Sequence, residues 1–260
     1  MRILFVADVF GSPGQHAVEE RLPGLRDELG VDFCALNAEN AADGRGLTPK
    51  LAERLLAAGA DVLTLGNHVW ARDEIRGYLD ESDRVLRPAN LASGLPGRGV
   101  TVAAAVDGTR VAVVNLLGWL FLDVPVSPFE VVDRLVDDAR RTTPVVLVDF
   151  HAEATSEKVA MALWLDGRAT AVVGTHTHVQ TNDARVLPGG TAAITDAGMT
   201  GPHDSVIGVR KELAIKRMRT HMPVRLKPAS GGVRIEGVLV ECDPATGRAS
   251  SCRTVRVPVD

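Results

Sequence analysis

Apolar runs of strand length alternate with stretches of helical spacing along the first two-thirds of this chain. "RILFVADV" is β-branched and apolar and meets polar residues at its end, which predicts a buried strand. In "GQHAVEERLPGLRDELG", Val18, Leu22, Leu25 and Leu29 recur at helical spacing, Gly30 closes the segment, and Pro23 is placed to kink it. "VDFCALNAEN" predicts a second strand. "LTPKLAERLLAAG" predicts a helix with Thr48 as N-cap, Pro49 at its first position and Gly59 past its end. "ADVLTLGNHVW" predicts a third strand and "ARDEIRGYLDES" a further helix.

The pattern continues with the short run "RVLRPAN" and with "GVTVAAAVDGTRVAVVNLLG", a hairpin turning at Asp107-Gly108. "SPFEVVDRLVDDARR" is a helix opened by Ser127-Pro128. The strand "PVVLVDFHAE", the helix "SEKVAMALWLDG" and the strand "ATAVVGTHTH" restore the alternation. Strands and hairpins around "RVLPGGTAAITDAG" and "GGVRIEGVLVECD", with one basic helix between them, fill the remainder. This order predicts an α/β fold of βαβ units around a buried, largely parallel sheet. With no internal repeat and no low-complexity linker, residues 1–260 are read as one domain.

Composition narrows the class. The chain has 260 residues, 45% of them hydrophobic, and a formal net charge of −4. That is neither a disordered nor a membrane composition, and the mild acidity argues against broad, non-specific nucleic-acid binding. The apolar run at the amino terminus is short and meets Asp8, which does not fit a signal peptide, and no run approaches a membrane span. Cys34, Cys242 and Cys252 are too few for a disulfide framework. Cys242 and Cys252 flank the turn "DPATG" and are read as unpaired thiols. A cytoplasmic location is expected.

The chemistry lies at the strand ends. The first strand ends at Asp8, the second at Glu39 and Asn40, the third at Asn67 and His68, "VVLVDF" at His151, and "AVVG" just before His176 and His178. In open α/β sheets, ligands bind at the carboxyl ends of strands. Singly, each residue has a structural reading: Asp8 a turn cap, Glu39 and Asn40 loop residues, Asn67 and His68 a tight turn, His151 a hydrogen-bonded core histidine. Jointly, carboxylates, amides and imidazoles without thiolates suit hard or borderline cations, and there are enough for two.

"GNH" after one strand and "GTHTH" after a later one resemble the GNH and GHxH motifs of metallophosphoesterases. More closely, "ADVFGSPG", "NAEN", "GNHVW", "DFHAEATSEK", "GTHTHVQT" and "GMTGPHDSVIG", in this order, resemble the YmdB-like metallophosphoesterases over nearly the whole chain. The resemblance implies a four-layer α/β/β/α sandwich and hydrolysis of phosphodiesters, notably 2′,3′-cyclic nucleotides. It implies two metal ions, usually iron, with manganese, zinc or magnesium compatible with the same donors. Asp8, Asn40 and His178 would hold the first ion, Asn67, His151 and His176 the second, and Glu39 would bridge them. The ions activate a shared water for attack on phosphorus, and His68 is the acid for the leaving oxygen. Homo-oligomers are implied as well.

The chain departs from the wider superfamily at two positions. Phe10 stands where most members carry a metal-binding histidine, and Glu39 where they carry an aspartate. The YmdB-like branch shares both changes. A second functional reading is a non-catalytic regulatory protein that binds nucleotide or RNA through the same metal site; nucleic acid otherwise enters only as a substrate. His203 in "GPHDS" is either a substrate contact or bonded to backbone, and Glu153 either orients a ligand histidine or caps a helix. His16 and His221 are read as surface residues. The basic run between residues 210 and 227, with seven Lys or Arg, is read first as a solvated helix face, and otherwise as a surface that attracts anionic substrates or contacts another subunit.

Overall fold

The computed structural model describes residues 1–259. Its elements begin β1 (Arg2–Val6), β2 (Asp8–Val9), α1 (Gly11–Leu29), β3 (Phe33–Asn37), α2 (Pro49–Ala57), β4 (Val62–Thr64), α3 (Ile75–Glu81) and β5 (Val85–Leu86). Next come β6 (Val100–Ala104), β7 (Arg110–Leu117), α4 (Pro128–Arg140), β8 (Val146–His151), α5 (Thr155–Trp164) and β9 (Ala171–Thr175). β10 (Arg185–Val186), β11 (Ala192–Ile194), β12 (Met199–Pro202), α6 (Lys211–Thr220), β13 (Val233–Cys242) and β14 (Ala249–Pro258) follow.

Side chains alternate across a strand, and β1 shows the consequence. Leu4 and Val6 pack with Val18, Leu22 and Leu25 of α1 and Leu55 of α2, while Ile3 and Phe5 pack with Val111, Val113, Leu147 and Val173. The first face meets helices; the second meets another sheet. Across that second sheet, Val114, Val146 and Val148 pack with Val132 and Val136 of α4 and Met161 of α5. Three apolar layers therefore separate four structural layers, giving the α/β/β/α sandwich. Fully burying a Leu, Ile or Phe contributes about 1.5–3 kcal/mol.

One sheet runs β2-β12-β13-β1-β3-β4-β5, with β14 on the free edge of β13; the other runs β10-β11-β9-β8-β7-β6. The pairs β1–β3, β3–β4, β7–β8 and β8–β9 are parallel, and α1, α2, α4 and α5 are the crossovers. The strand pattern by itself points to one sheet. The strands divide between two because the inner faces of β1 and β3 are covered by the second sheet instead of by helices.

Local signals hold at several ends. The Thr48 hydroxyl accepts from Leu51 N at 3.3 Å, and Gly30 caps α1 at φ 61°. The β6–β7 hairpin turns at Gly108 with φ 85°. α1 starts at Gly11, earlier than its spacing suggests, because Pro13 lies in the first turn where no backbone donor is needed. It also continues through Pro23. Register sets Cys252 opposite Val240 and Cys242 opposite Ala249, so the two thiols are offset and all three cysteines are free. Among the described residues, no helix is long and apolar enough to cross a membrane.

Candidate active site

The strand ends meet at the seam between the sheets. Asp8 opens β2, just past β1. Glu39 and Asn40 form a turn after β3, pinned by Gly46 N to Glu39 O at 2.6 Å and Gly11 N to Asn40 O at 2.9 Å. Asn67 and His68 lie in the turn after β4, closed by Val69 N to Gly66 O at 3.2 Å. His151 is the last residue of β8, and His176 follows β9. Gly66 is needed because a Cβ there would collide with Glu39 Oε2 and the His151 ring.

Two groups of donor atoms share Glu39. In one, His151 Nε2 faces Glu39 Oε1 at 3.2 Å, Asn67 Oδ1 at 3.0 Å and His176 Nδ1 at 3.0 Å. In the other, His178 Nε2 faces Asp8 Oδ2 at 3.3 Å and the Asn40 amide at 3.0 Å, which reaches Glu39 Oε1 at 3.1 Å. Thus all seven residues expected to hold metal converge. Ligand atoms of Glu39, His151 and His176 all lie within 4.8 Å of one another. Phe10 packs edge-on against His178, with ring centroids 5.5 Å apart.

The donor set fits cations. A single ring proton on His151 Nε2 cannot serve three acceptors. Asp8 is fully buried, yet neither carboxylate oxygen accepts a hydrogen bond. A buried carboxylate without hydrogen bonds, with only the His178 imidazole near it at 3.3 Å, costs on the order of several kcal/mol, which a bound cation would offset. Oxygen and imidazole donors suit hard or borderline metals, and no cysteine lines the site. Burial alone would raise the Glu39 carboxyl, but His151 and His68 hold it well below the usual carboxylate range. Burial would likewise lower His151; Glu39 outweighs it and lifts the imidazole to about 9. His176 is pushed down by burial and by the charge on His151. Asp8 raises His178 against the effect of burial.

Sequence reasoning missed what stands behind His151. Thr175 Oγ1 donates to Asp149 Oδ1 at 2.7 Å and lies 2.9 Å from His151 Nδ1. A hydroxyl has one proton, so Thr175 accepts from Nδ1–H and Nε2 is the nitrogen turned toward Glu39. Asn37 Nδ2 and Thr64 Oγ1 donate to the other Asp149 oxygen, and Asn37 Oδ1 accepts from Glu39 N at 3.1 Å. Burial raises Asp149 to about 6. One partial signal is in the sequence: Asp149 precedes His151 by two residues on β8, the same-face spacing of a strand, but nothing there points to Thr175 on β9.

"GTHTH" is not a continuous strand. β9 ends at Thr175, and His176 and His178 both have positive φ, 102° and 65°. Residues two apart on a regular strand would point the same way; here the turn lets the rings separate into the two groups. Such backbone persists only where the surroundings over-determine it. The buried Asp196 carboxylate accepts from Thr177 N at 3.0 Å and Thr177 Oγ1 at 2.8 Å, and is paired with buried Lys158 at 2.7 Å.

A cavity of about 610 Å³ opens over both groups. His68 lines it, with Nδ1 2.8 Å from Asn40 Oδ1 and 3.1 Å from Glu39 Oε1. Glu153 Oε2 lies 3.0 Å from His176 Nε2, which fits the orienting role; the residue before α5 is Ala154, not Glu153. His203 bonds the backbone oxygen of Met199 at 3.1 Å, the structural alternative. His16 and His221 are exposed. The basic run is only partly a solvated face, since Arg217 and Lys227 line the cavity.

A family model described as YmdB-like protein matches residues 4–255. A 2′,3′-cyclic-nucleotide 2′-phosphodiesterase of Bacillus subtilis strain 168 is 47% identical over 260 residues, covering 100% of this chain and 98% of that protein. The crystal structure of a hypothetical protein from Thermus thermophilus superimposes with a TM-score of 0.92 at 41% identity, covering 99% of both chains. That of a novel phosphatase from Mycoplasma pneumoniae gives 0.91 at 33% identity, covering 99% of this chain and 93% of the other. Likeness of this extent, in sequence and in three dimensions, places the chain in the YmdB-like family.

Proposed function

We propose that the chain is a metal-dependent phosphodiesterase, acting as one catalytic domain on 2′,3′-cyclic nucleotides. The observation that carries this reading is the buried Asp8 carboxylate without hydrogen bonds, linked through His178, Asn40 and Glu39 to the His151 group. Asp8, Asn40 and His178 would hold one cation, Asn67, His151 and His176 a second, and Glu39 both. Bound there, two cations supply an activated water and offset charge on the phosphoryl oxygens. Iron is our first choice; manganese, zinc and magnesium share its ligand chemistry. The name of the B. subtilis relative, at 47% identity over the full chain, supports the substrate class.

The chain's own residues supply the rest. Ile207 O holds His178 Nδ1 at 3.0 Å and Thr175 holds His151 Nδ1, so each ring keeps Nε2 for the centre. His68 is anchored through Nδ1, which leaves Nε2 without a partner among the described residues that line the cavity. Water adds to phosphorus as the bond from phosphorus to the 2′-oxygen breaks. His68 delivers a proton to that oxygen, the attacking water gives up one proton to solvent, and a nucleoside 3′-phosphate results.

Turnover of 2′,3′-cyclic nucleotides and of a generic aryl phosphodiester, with iron or manganese added, tests the proposal. Release of 3′-nucleotide is expected. Binding without turnover in every metal form would instead support the non-catalytic regulatory reading, which the presence of His68 beside a full donor set disfavours.

A further inference from the structure

The cavity has a charge pattern that one phosphoryl group does not use. Its floor is the donor cluster. The lining also includes Asp43, which faces Arg72; Glu153, which is bonded to His176; and Arg45, which has no ion-pair partner among the described residues. α6 and the segment leading to Pro228 contribute a stretch of wall with Arg217 and Lys227 and no carboxylate. Among the described residues neither cation has an ion-pair partner, although Arg210 and Lys211 of the same basic run are paired with Glu212 and Asp204. Phe10, Ile207, Leu226 and Pro228 add apolar surface to the same cavity.

This wall is held to the centre. Arg210 N donates to Lys227 O at 3.0 Å and Ala229 N to Gly208 O at 2.8 Å, so the segment bearing Lys227 pairs with the loop bearing Ile207. Ile207 O in turn bonds His178 Nδ1. A ligand spanning the cavity would place one phosphate on the floor, a sugar or base on the apolar surface, and a second anion against Arg217 and Lys227. A free guanidinium and ammonium facing a cavity are suited to a phosphate.

We propose that Arg217 and Lys227 form a second phosphate subsite, selecting cyclic nucleotides that carry a phosphate on the 5′-oxygen. The proposal rests on the phosphodiesterase reading for its substrate and deepens it. The 5′-phosphate has two sources, a 5′-phosphorylated mononucleotide or the internal phosphate of a ribonucleotide chain ending in a 2′,3′-cyclic phosphate.

The test compares kcat/KM for adenosine 2′,3′-cyclic phosphate, its 5′-phosphorylated form, and a diadenosine dinucleotide with a terminal cyclic phosphate. Wild-type protein is set against the Arg217→Gln/Lys227→Gln variant. A wild-type preference of about fivefold or more for either 5′-substituted substrate is expected, carried by KM and weakened by salt, falling to near unity in the variant. Equal use of all three substrates by the wild type, or an equal loss on all three in the variant, overturns the subsite. A calorimetric arm separates this from failure of the phosphodiesterase reading. Adenosine 3′,5′-bisphosphate is expected to bind wild type more tightly than adenosine 3′-phosphate does, and to lose that advantage in the variant. If no substrate turns over, this arm still decides, and equal binding of the two ligands overturns the subsite.

Discussion

His151 Nε2 stands 3.0 Å from His176 Nδ1, two imidazole nitrogens turned toward each other across the ends of neighbouring strands. Without a cation, Glu39 outweighs burial and lifts His151 to about 9, while burial and the charge on His151 push His176 down. His151 is thus protonated at pH 7.5 and must lose that proton to offer a lone pair. Metal loading at pH 7.5 is expected to release about one proton from His151, and affinity to rise with pH until about 9. Calorimetry in buffers of different ionisation enthalpy measures the proton count; an affinity independent of pH between 7 and 9 would count against it.

Thr175 fixes which His151 nitrogen faces the centre. Thr175→Val removes the hydroxyl at constant shape and is expected to weaken metal binding about 10–100-fold, the usual effect of losing a partner behind a ligand histidine. Thr175→Ser should restore most of it. Competition with a chromogenic chelator gives the affinities, and thermal melts of the metal-free proteins show whether folding is affected.

His176 and His178 belong to different groups, so His176→Ala and His178→Ala should each deplete a different ion. Element-specific anomalous scattering from crystals of each variant reports which position has emptied. Loss of the same ion from both variants would mean that the two rings serve one site.

His68 lines the cavity and is anchored through Nδ1. His68→Ala is expected to lower kcat about 10²–10⁴-fold while both ions are retained. Metal content by mass spectrometry, read beside the rate, distinguishes an acid from a ligand. Depletion of metal in step with activity would make His68 a ligand.

Gly66→Ala forces a methyl against Glu39 and His151. Overpacking of this kind costs about 1–3 kcal/mol. A lower midpoint in urea and weaker metal binding are expected together, since the displaced atoms are those of the centre.

Much of this was legible in the chain. The alternation of strands and helices, the caps at Thr48 and Gly30, and the Asp107-Gly108 turn follow from local periodicity and backbone preference, which a sequence carries directly. The site residues were visible because polar groups at the ends of apolar runs stand out. The partition of the strands into two sheets was not in the strand pattern, because a run buried on both faces reads the same whether helices or a sheet cover it; it came from the likeness to a family. Asp149 and Thr175 escaped because a polar residue within a strand declares its role only once its neighbour across the ladder is known. Arg217 and Lys227 sit in a basic run, and only the fold shows that these two line the cavity.

The two-sheet origin of the centre has a consequence for biogenesis. Asp8, Glu39, Asn40 and Asn67 come from the first sheet, and His151, His176 and His178 from the second. A chain emerging from the ribosome has made four of these groups before the other three exist, and the last arrives at residue 178. No half of the protein can hold both ions. On the proposed assignment, full metal capture would be a late event, open only after the two sheets have docked.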